Sequence, residues 1–66
     1  MKVQLRIKQL PNGSVATSGY TPKAEHLPDV AKKANRTHIK PGEIMEVESK
    51  EVAREYTSAG FLEVVI

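Results

Sequence analysis

The last third of the chain constrains the fold most strongly, because its local signals all agree. Residues 37–66 read THIKPGEIMEVESKEVAREYTSAGFLEVVI. Pro41 and Gly42 favour a turn, and the apolar residues between positions 44 and 47 predict a strand after it. Ser49 is a good N-cap, and Gly60 accepts the left-handed conformation that ends many helices. The segment is therefore predicted to fold as strand, helix and strand.

The predicted helix and the strand after it both carry apolar faces. The helix stripe consists of Val52, Ala53, Tyr56 and Ala59. The final strand has apolar residues on both faces, which is typical of a strand covered on both sides. One face carries Leu62, Val64 and Ile66, and the other carries Phe61 and Val65. Because this strand reaches residue 66, we expect one of its covers to come from another molecule.

The first eighteen residues predict a further strand or a hairpin. Val3, Leu5 and Ile7 alternate with polar residues, which is the pattern of a half-buried antiparallel strand. A Pro-Asn-Gly turn at positions 11–13 follows, and residues 15–17 are predicted to return as a short second strand. Two strands joined through a helix are expected to lie parallel. The predicted fold is therefore α+β: a small mixed sheet of three to four strands, with a C-terminal β-α-β unit at 41–66.

Residues 19–40 are interpreted as an extended central arm. Apolar residues are sparse there, and prolines interrupt the segment. A short helix is predicted from Leu27 to Asn35, since Pro28 suits its start and Asn35 its left-handed end. A helix of this length is marginal without packing, and long weakly structured loops are usually functional or disordered. We therefore expect the arm to become ordered against a neighbouring molecule.

Size and composition point in the same direction. A single domain of 66 residues buries a thin core, and small domains usually need a disulfide, a metal or a partner subunit for stability. The chain has no cysteine, two tyrosines and one phenylalanine. Association with another chain is our leading explanation for the missing stability. We expect neither a signal peptide nor a membrane span, because the chain lacks the apolar runs that both require.

Charge is distributed unevenly along the chain. Residues 1–40 contain eight Lys and Arg against two acidic residues, whereas residues 41–66 contain six glutamates against Lys50 and Arg54. The basic part suits nucleic acid or an acidic protein surface. It equally suits the acidic part of a second copy, or neutralisation of the two parts within one fold. The sequence leaves these alternatives open.

No set of residues predicts a catalytic or metal site. His26 and His38 are two histidines where a zinc or iron site needs three or four converging ligands. No serine lies in a nucleophile elbow, and the four glycines are too far apart to form a phosphate loop. Glu46 and Glu48 are best explained as a solvated face. We therefore expect no enzyme activity, no cofactor and no metal.

Nucleic-acid binding is the alternative function. Its basic residues are Lys2, Arg6, Lys8, Lys32, Lys33, Arg36 and Lys40, which provide the charge that phosphate contacts need. No aromatic residue interleaves the basic strand, so the stacking platform of single-strand-binding sheets is missing.

A further expectation comes from the residues 39–47, IKPGEIMEV, followed by Val52-Ala53 and by the AGFLEV of residues 59–64. This arrangement resembles the small accessory virion proteins of tailed bacteriophages, which include capsid cement, decoration and head-completion proteins. The likeness covers residues 39–66 and not the arm. It implies a non-enzymatic structural protein of a phage particle, located in the virion and, during assembly, in the host cytoplasm.

On this interpretation the arm and the last strand bind capsid or head–tail subunits in many copies. The expected partner-binding residues are Tyr20, Leu27, Val30, Lys32, Lys33, Arg36, Ile39, Val65 and Ile66.

Overall fold

The computed structural model describes residues 1–65, which form a three-stranded sheet and two short α-helices. In chain order the elements are β1 (Val3–Ile7), a 3₁₀ turn (Ala24–His26), α1 (Asp29–Lys33), β2 (Met45–Val47), α2 (Lys50–Thr57) and β3 (Leu62–Val65). The predicted α+β class, with a strand–helix–strand unit at the C-terminal end, is confirmed.

The strand order is β2-β1-β3, and β1 pairs antiparallel with both neighbours. Leu5 lies opposite Met45 on one side and Val64 on the other. Strands β2 and β3 therefore run in the same direction, as expected for a β-α-β unit. The prediction of a mixed sheet is nevertheless wrong, because β1 inserts between the two parallel strands and makes every neighbouring pair antiparallel.

The core lies between the sheet and α2. The buried cluster contains Leu5, Ile7, Ile39, Met45, Val47, Ala53, Tyr56 and Leu62. Helix α2 begins where predicted, since the Ser49 side chain accepts a hydrogen bond from the backbone N–H of Val52 at 3.3 Å. Gly60, with φ of 84°, provides the left-handed turn into β3.

The predicted N-terminal hairpin is present only as a bridge. Gln9 pairs with Val15, and the backbone N–H of Ala16 donates to the carbonyl of Lys8. Residues 15–17 form no strand of their own.

Residues 20–39, here called the central loop, are folded onto the body of the protein. Tyr20 and Ile39 form a two-bond antiparallel bridge that closes the loop at its base. Ile39 and Ala31 are fully buried, and Asn35 takes the predicted left-handed conformation with φ of 57°. The prediction of an extended arm is therefore wrong. Its few apolar residues reach the core because the loop base and several polar contacts place them there.

Three ion pairs join the two oppositely charged parts of the chain within the fold. Lys2 pairs with Glu46, Arg6 with Glu63 and Arg36 with Glu43. Each pair joins a basic residue of positions 1–40 to a glutamate of positions 41–66. Of the three alternatives that the sequence left open, internal neutralisation accounts for these six residues.

Candidate protein-binding site

An apolar groove lies where α2 crosses the ends of β1 and β3. It has a volume of about 480 Å³ and is lined by Met1, Lys2, Val3, Lys50, Ala53, Arg54, Thr57, Val64 and Val65. The four helix residues follow the spacing i, i+3, i+4 and i+7, so they form one side of α2. The opposite wall is the sheet, at the end where β1 begins and β3 finishes.

The groove leaves apolar side chains in contact with solvent. Leu62 and Val64 share one face of β3 because they are two residues apart. Leu62 is buried, whereas Val64 is 46% exposed. Met1 is also exposed, at 98%. The helix thus covers the first half of β3 and leaves the second half open, so that Val64 is part of an unfilled apolar surface.

The polar part of the groove wall is cationic. Lys2, Lys50 and Arg54 line the groove and are all exposed. Lys2 has a partner, since its ammonium nitrogen lies 3.5 Å from a Glu46 carboxylate oxygen. Within residues 1–65 the structure shows no ion pair for Lys50 or Arg54. No acidic side chain lines the groove in the described part of the chain.

A hydrogen-bonded cluster of Tyr56, His26 and Glu48 fastens the central loop to α2 and to the end of β2. The Tyr56 hydroxyl lies 2.7 Å from His26 Nδ1, and His26 Nε2 lies 2.9 Å from Glu48 Oε2. The backbone N–H of Lys23 donates to the same hydroxyl at 3.1 Å. The neutral ring satisfies all these contacts when Nε2 carries the proton and the hydroxyl donates to Nδ1.

The contacts of this cluster tether the central loop. The His26 side chain is only 5% exposed, and both of its ring nitrogens are engaged within the chain. Hydrogen bonds from its own backbone N–H and from His26 hold the pKa of the Glu48 carboxyl below its usual value. Among residues 1–65, no group of three His, Cys, Asp or Glu side chains is arranged to hold a metal ion.

A second polar contact holds the C-terminal end of the loop, next to Ile39. Arg36 donates to both carboxylate oxygens of Glu43, at 2.8 and 2.6 Å, and also to the carbonyl of His38. The arginine, together with the backbone N–H of Lys40, lowers the pKa of Glu43 to about 2. The same pairing raises the pKa of Arg36. On the open face of the sheet, hydrogen bonds from Arg6 lower the pKa of Glu63.

The structure disperses the residues that the sequence predicted for partner binding. Ile39 is fully buried, so its prediction as an anchor on a neighbour is wrong. Tyr20 and Leu27 are half-buried and pack against the same core. Val30 is 49% exposed, and Lys32 and Lys33 are also exposed.

The remaining predicted residues lie elsewhere. Arg36 is engaged by Glu43, Val65 lies half-buried at the groove, and Ile66 lies outside the described residues. Only Val65 of the predicted set therefore lines the groove in residues 1–65.

Sequence reasoning missed the groove because its walls come from three distant segments. A signal was nevertheless present. The last strand has more apolar residues than one short helix can cover. The helical side shared by Ala53, Arg54 and Thr57 was not recognised as a surface separate from the core stripe.

Comparisons with known proteins return no relative. No family model matches the chain, and no curated protein and no solved structure shows detectable similarity to it. None of the helices in residues 1–65 is long and apolar enough to cross a lipid bilayer.

Proposed function

We propose that this protein is a non-enzymatic structural component of a bacteriophage particle that binds capsid or head–tail proteins. The observation that carries the proposal is the groove at Val64, where apolar side chains remain exposed to solvent. A domain this small has few apolar residues with which to form its core. An apolar groove with a polar rim can hold an apolar side chain of a partner protein. The virion context rests on the resemblance of residues 39–66 to accessory virion proteins.

The rigid body of the domain makes the contact in this proposal. The central loop is tied to the core by the Tyr20–Ile39 bridge and by the His26 cluster, so it has no free length with which to wrap a neighbour. Binding through a preformed surface also avoids the entropy cost of ordering a segment.

The test is the presence of the protein in particles of the phage that encodes it. Quantitative mass spectrometry of gradient-purified particles is expected to find the protein in many copies. Purified protein added to particles that lack it is expected to co-sediment with them. Absence from particles, together with no co-sedimentation, would reject the proposal.

Two matched substitutions locate the binding surface. Val64 and Val30 are the same residue type with similar exposure, 46% and 49%. Val64→Glu is expected to reduce co-sedimentation about tenfold, because it places a charge in an apolar contact, whereas Val30→Glu is expected to leave it unchanged. The reverse result would move the binding surface to α1.

Nucleic-acid binding is the second candidate, favoured by the exposure of Lys32, Lys33 and Lys40. Arg36 contributes less charge than the sequence suggested, because Glu43 neutralises it. A gel shift that weakens steeply with salt would support this candidate. No shift at low salt would remove it.

A further inference from the structure

The outer edge of β3 is open. Strand β3 is the last strand of the sheet and contacts β1 and α2 among the structural elements. The backbone N–H of Lys8 donates to the carbonyl of Phe61 at 2.9 Å, in the same register as the rest of the β1–β3 ladder. Hydrogen-bonded residues alternate with non-hydrogen-bonded ones along an antiparallel ladder. Since the backbone of Phe61 is bonded to β1, the backbone groups of Glu63 and Val65 also face β1. The backbone groups of Leu62 and Val64 therefore point away from the sheet.

The open edge and the groove meet at one residue. Val64 turns its backbone N–H and carbonyl towards the open edge, and its half-exposed side chain lines the groove. A strand added next to β3 would place alternate side chains on the α2 face of the sheet, where the groove is unfilled. The backbone groups identify the occupant as an extended segment, and the groove calls for an apolar side chain on it.

The charge around the groove indicates which residues accompany the apolar side chain in the bound segment. Lys50 and Arg54 line it without an ion pair in residues 1–65, and no acidic side chain accompanies them there. An approaching acidic segment gains from this field, and a basic one is disfavoured.

We propose that the edge of β3 and the adjoining groove bind an extended segment of a partner protein that carries apolar residues flanked by acidic ones. The segment adds to the sheet as a fourth strand, next to β3. This inference rests on the proposed function only in taking the chain to be a protein-binding domain, and it names the chemistry of the bound segment.

The first experiment uses a labelled peptide with capped ends, Glu-Thr-Val-Thr-Val-Thr-Glu, whose alternate residues place two valines and the two flanking glutamates together on the α2 face. Its fluorescence anisotropy is followed with the full-length protein. We expect saturable binding that weakens as salt rises, because exposed charges are screened. Two peptides serve as controls. The lysine version, Lys-Thr-Val-Thr-Val-Thr-Lys, is expected to bind at least about tenfold more weakly. A version methylated on alternate backbone nitrogens is expected to lose binding, because strand addition depends on main-chain hydrogen bonds. Equal binding of all three peptides would overturn the proposal.

Substitutions in the protein provide the reciprocal test. Arg54→Glu is expected to weaken binding of the acidic peptide about tenfold and to strengthen binding of the lysine peptide. Val64→Glu is expected to abolish binding of the acidic peptide. Leu10→Glu is the matched control, since Leu10 is an exposed apolar residue in the turn beyond the other end of β1. This variant is expected to bind the acidic peptide as tightly as the unchanged protein does. Circular dichroism checks that each variant is folded, and the charge reversal at Arg54 tests the surface independently of Val64.

Amide hydrogen exchange measured by NMR distinguishes strand addition from other modes of binding. In the free protein, the amides of Leu62 and Val64 are expected to exchange faster than those of Glu63 and Val65, because only the latter two face β1. The peptide is expected to slow exchange at Leu62 and Val64. Peptide binding without slower exchange at Leu62 and Val64 would overturn the proposal that the segment adds to the sheet as a strand.

A second copy of the chain is the competing occupant. If Leu62 and Val64 become protected as protein concentration rises without peptide, and light scattering shows a dimer, the edge belongs to a self-contact and the proposal is wrong. Failure of the proposed function gives a different pattern. Peptide binding by a protein that is absent from phage particles would reject the virion role and leave the groove assignment standing.

Discussion

The strand–helix–strand unit and the central loop are held in place by different kinds of contact. Residues 45–65 fold from signals close together in sequence: the Ser49 cap, the apolar stripe of α2 and the left-handed Gly60. Residues 20–39 have only two short helical turns of their own. Their order comes from contacts with distant residues, such as Lys23 with Tyr56 and His26 with Glu48. A segment with weak local preferences can therefore be fixed by a few long-range contacts.

The strongest test of this comparison is removal of the loop's buried anchor. Ile39→Ala is expected to destabilise the protein by about 2–5 kcal/mol, because it deletes methyl groups from a fully buried position. That loss is comparable with the whole stability of a domain of this size, about 3–5 kcal/mol. Chemical denaturation should therefore find the variant largely unfolded.

A milder variant and a control keep this test quantitative. Ile39→Val is expected to cost about 0.5–1.5 kcal/mol. Val30→Ala, at a half-exposed position of the same loop, is expected to cost about 0.5 kcal/mol or less. If Ile39→Ala were as mild as Val30→Ala, the loop would be a loose appendage and the comparison between the two regions would fail.

The second test concerns the polar tether. Tyr56→Phe keeps the ring in the core but removes the hydroxyl that contacts Lys23 and His26. We expect a loss of about 1–3 kcal/mol, because a buried ring nitrogen and a backbone N–H lose their partner. Denaturation gives the loss, and amide exchange at Lys23 should become faster.

Tyr20→Phe is the matched control for this substitution. The Tyr20 ring packs against Tyr56 and Phe61, but its hydroxyl makes no hydrogen bond to another residue within positions 1–65. We expect its effect to be well below that of Tyr56→Phe. Equal effects of the two substitutions would show that the His26 cluster does not hold the loop.

The sequence predicts features that depend on local signals, as in the strand–helix–strand unit, better than features that depend on long-range contacts, as in the central loop. The α+β class, the cap, the helix stop and the direction of β2 relative to β3 all follow from local patterns and connection rules. The central position of β1 does not, because residues 3–7 show an alternating strand but carry no information about which strands flank it. His26 illustrates the limit for the loop. Its partners are 30 and 22 residues away, and no spacing rule connects such positions.

The groove was unpredictable for a related reason. Val64 has the same alternation pattern as Leu62, and only the position of α2 decides that one is buried and the other exposed. A single sequence does not show that Val3, Arg54 and Val64 line one groove at the end of the sheet. Sites made from strand ends and a helix side depend on packing, which local signals determine only indirectly.

The smallest expected effect tests the ionic contact at the C-terminal end of the loop. Glu43→Gln weakens the paired hydrogen bonds with Arg36 and is expected to lower Tm by roughly 4–8 °C near neutral pH, the shift that about 1 kcal/mol produces in a domain of this size. The pKa of Glu43 falls from its usual 4.5 to about 2 in the folded protein. Its stabilisation is therefore complete above about pH 4.5 and is lost as the pH falls towards about 2.

Thermal melts of the native chain and of Glu43→Gln, recorded between neutral pH and about pH 2, measure the contribution of the Glu43 charge to stability. The exposed substitution Glu55→Gln is the control. The difference in Tm between the native chain and Glu43→Gln should shrink as the pH falls through this window. Lowered carboxyl pKa values at Glu48 and Glu63 destabilise both proteins in acid, so the difference between them isolates Glu43. A difference that stays constant with pH would mean that shape, and not the charge on Glu43, holds the end of the loop.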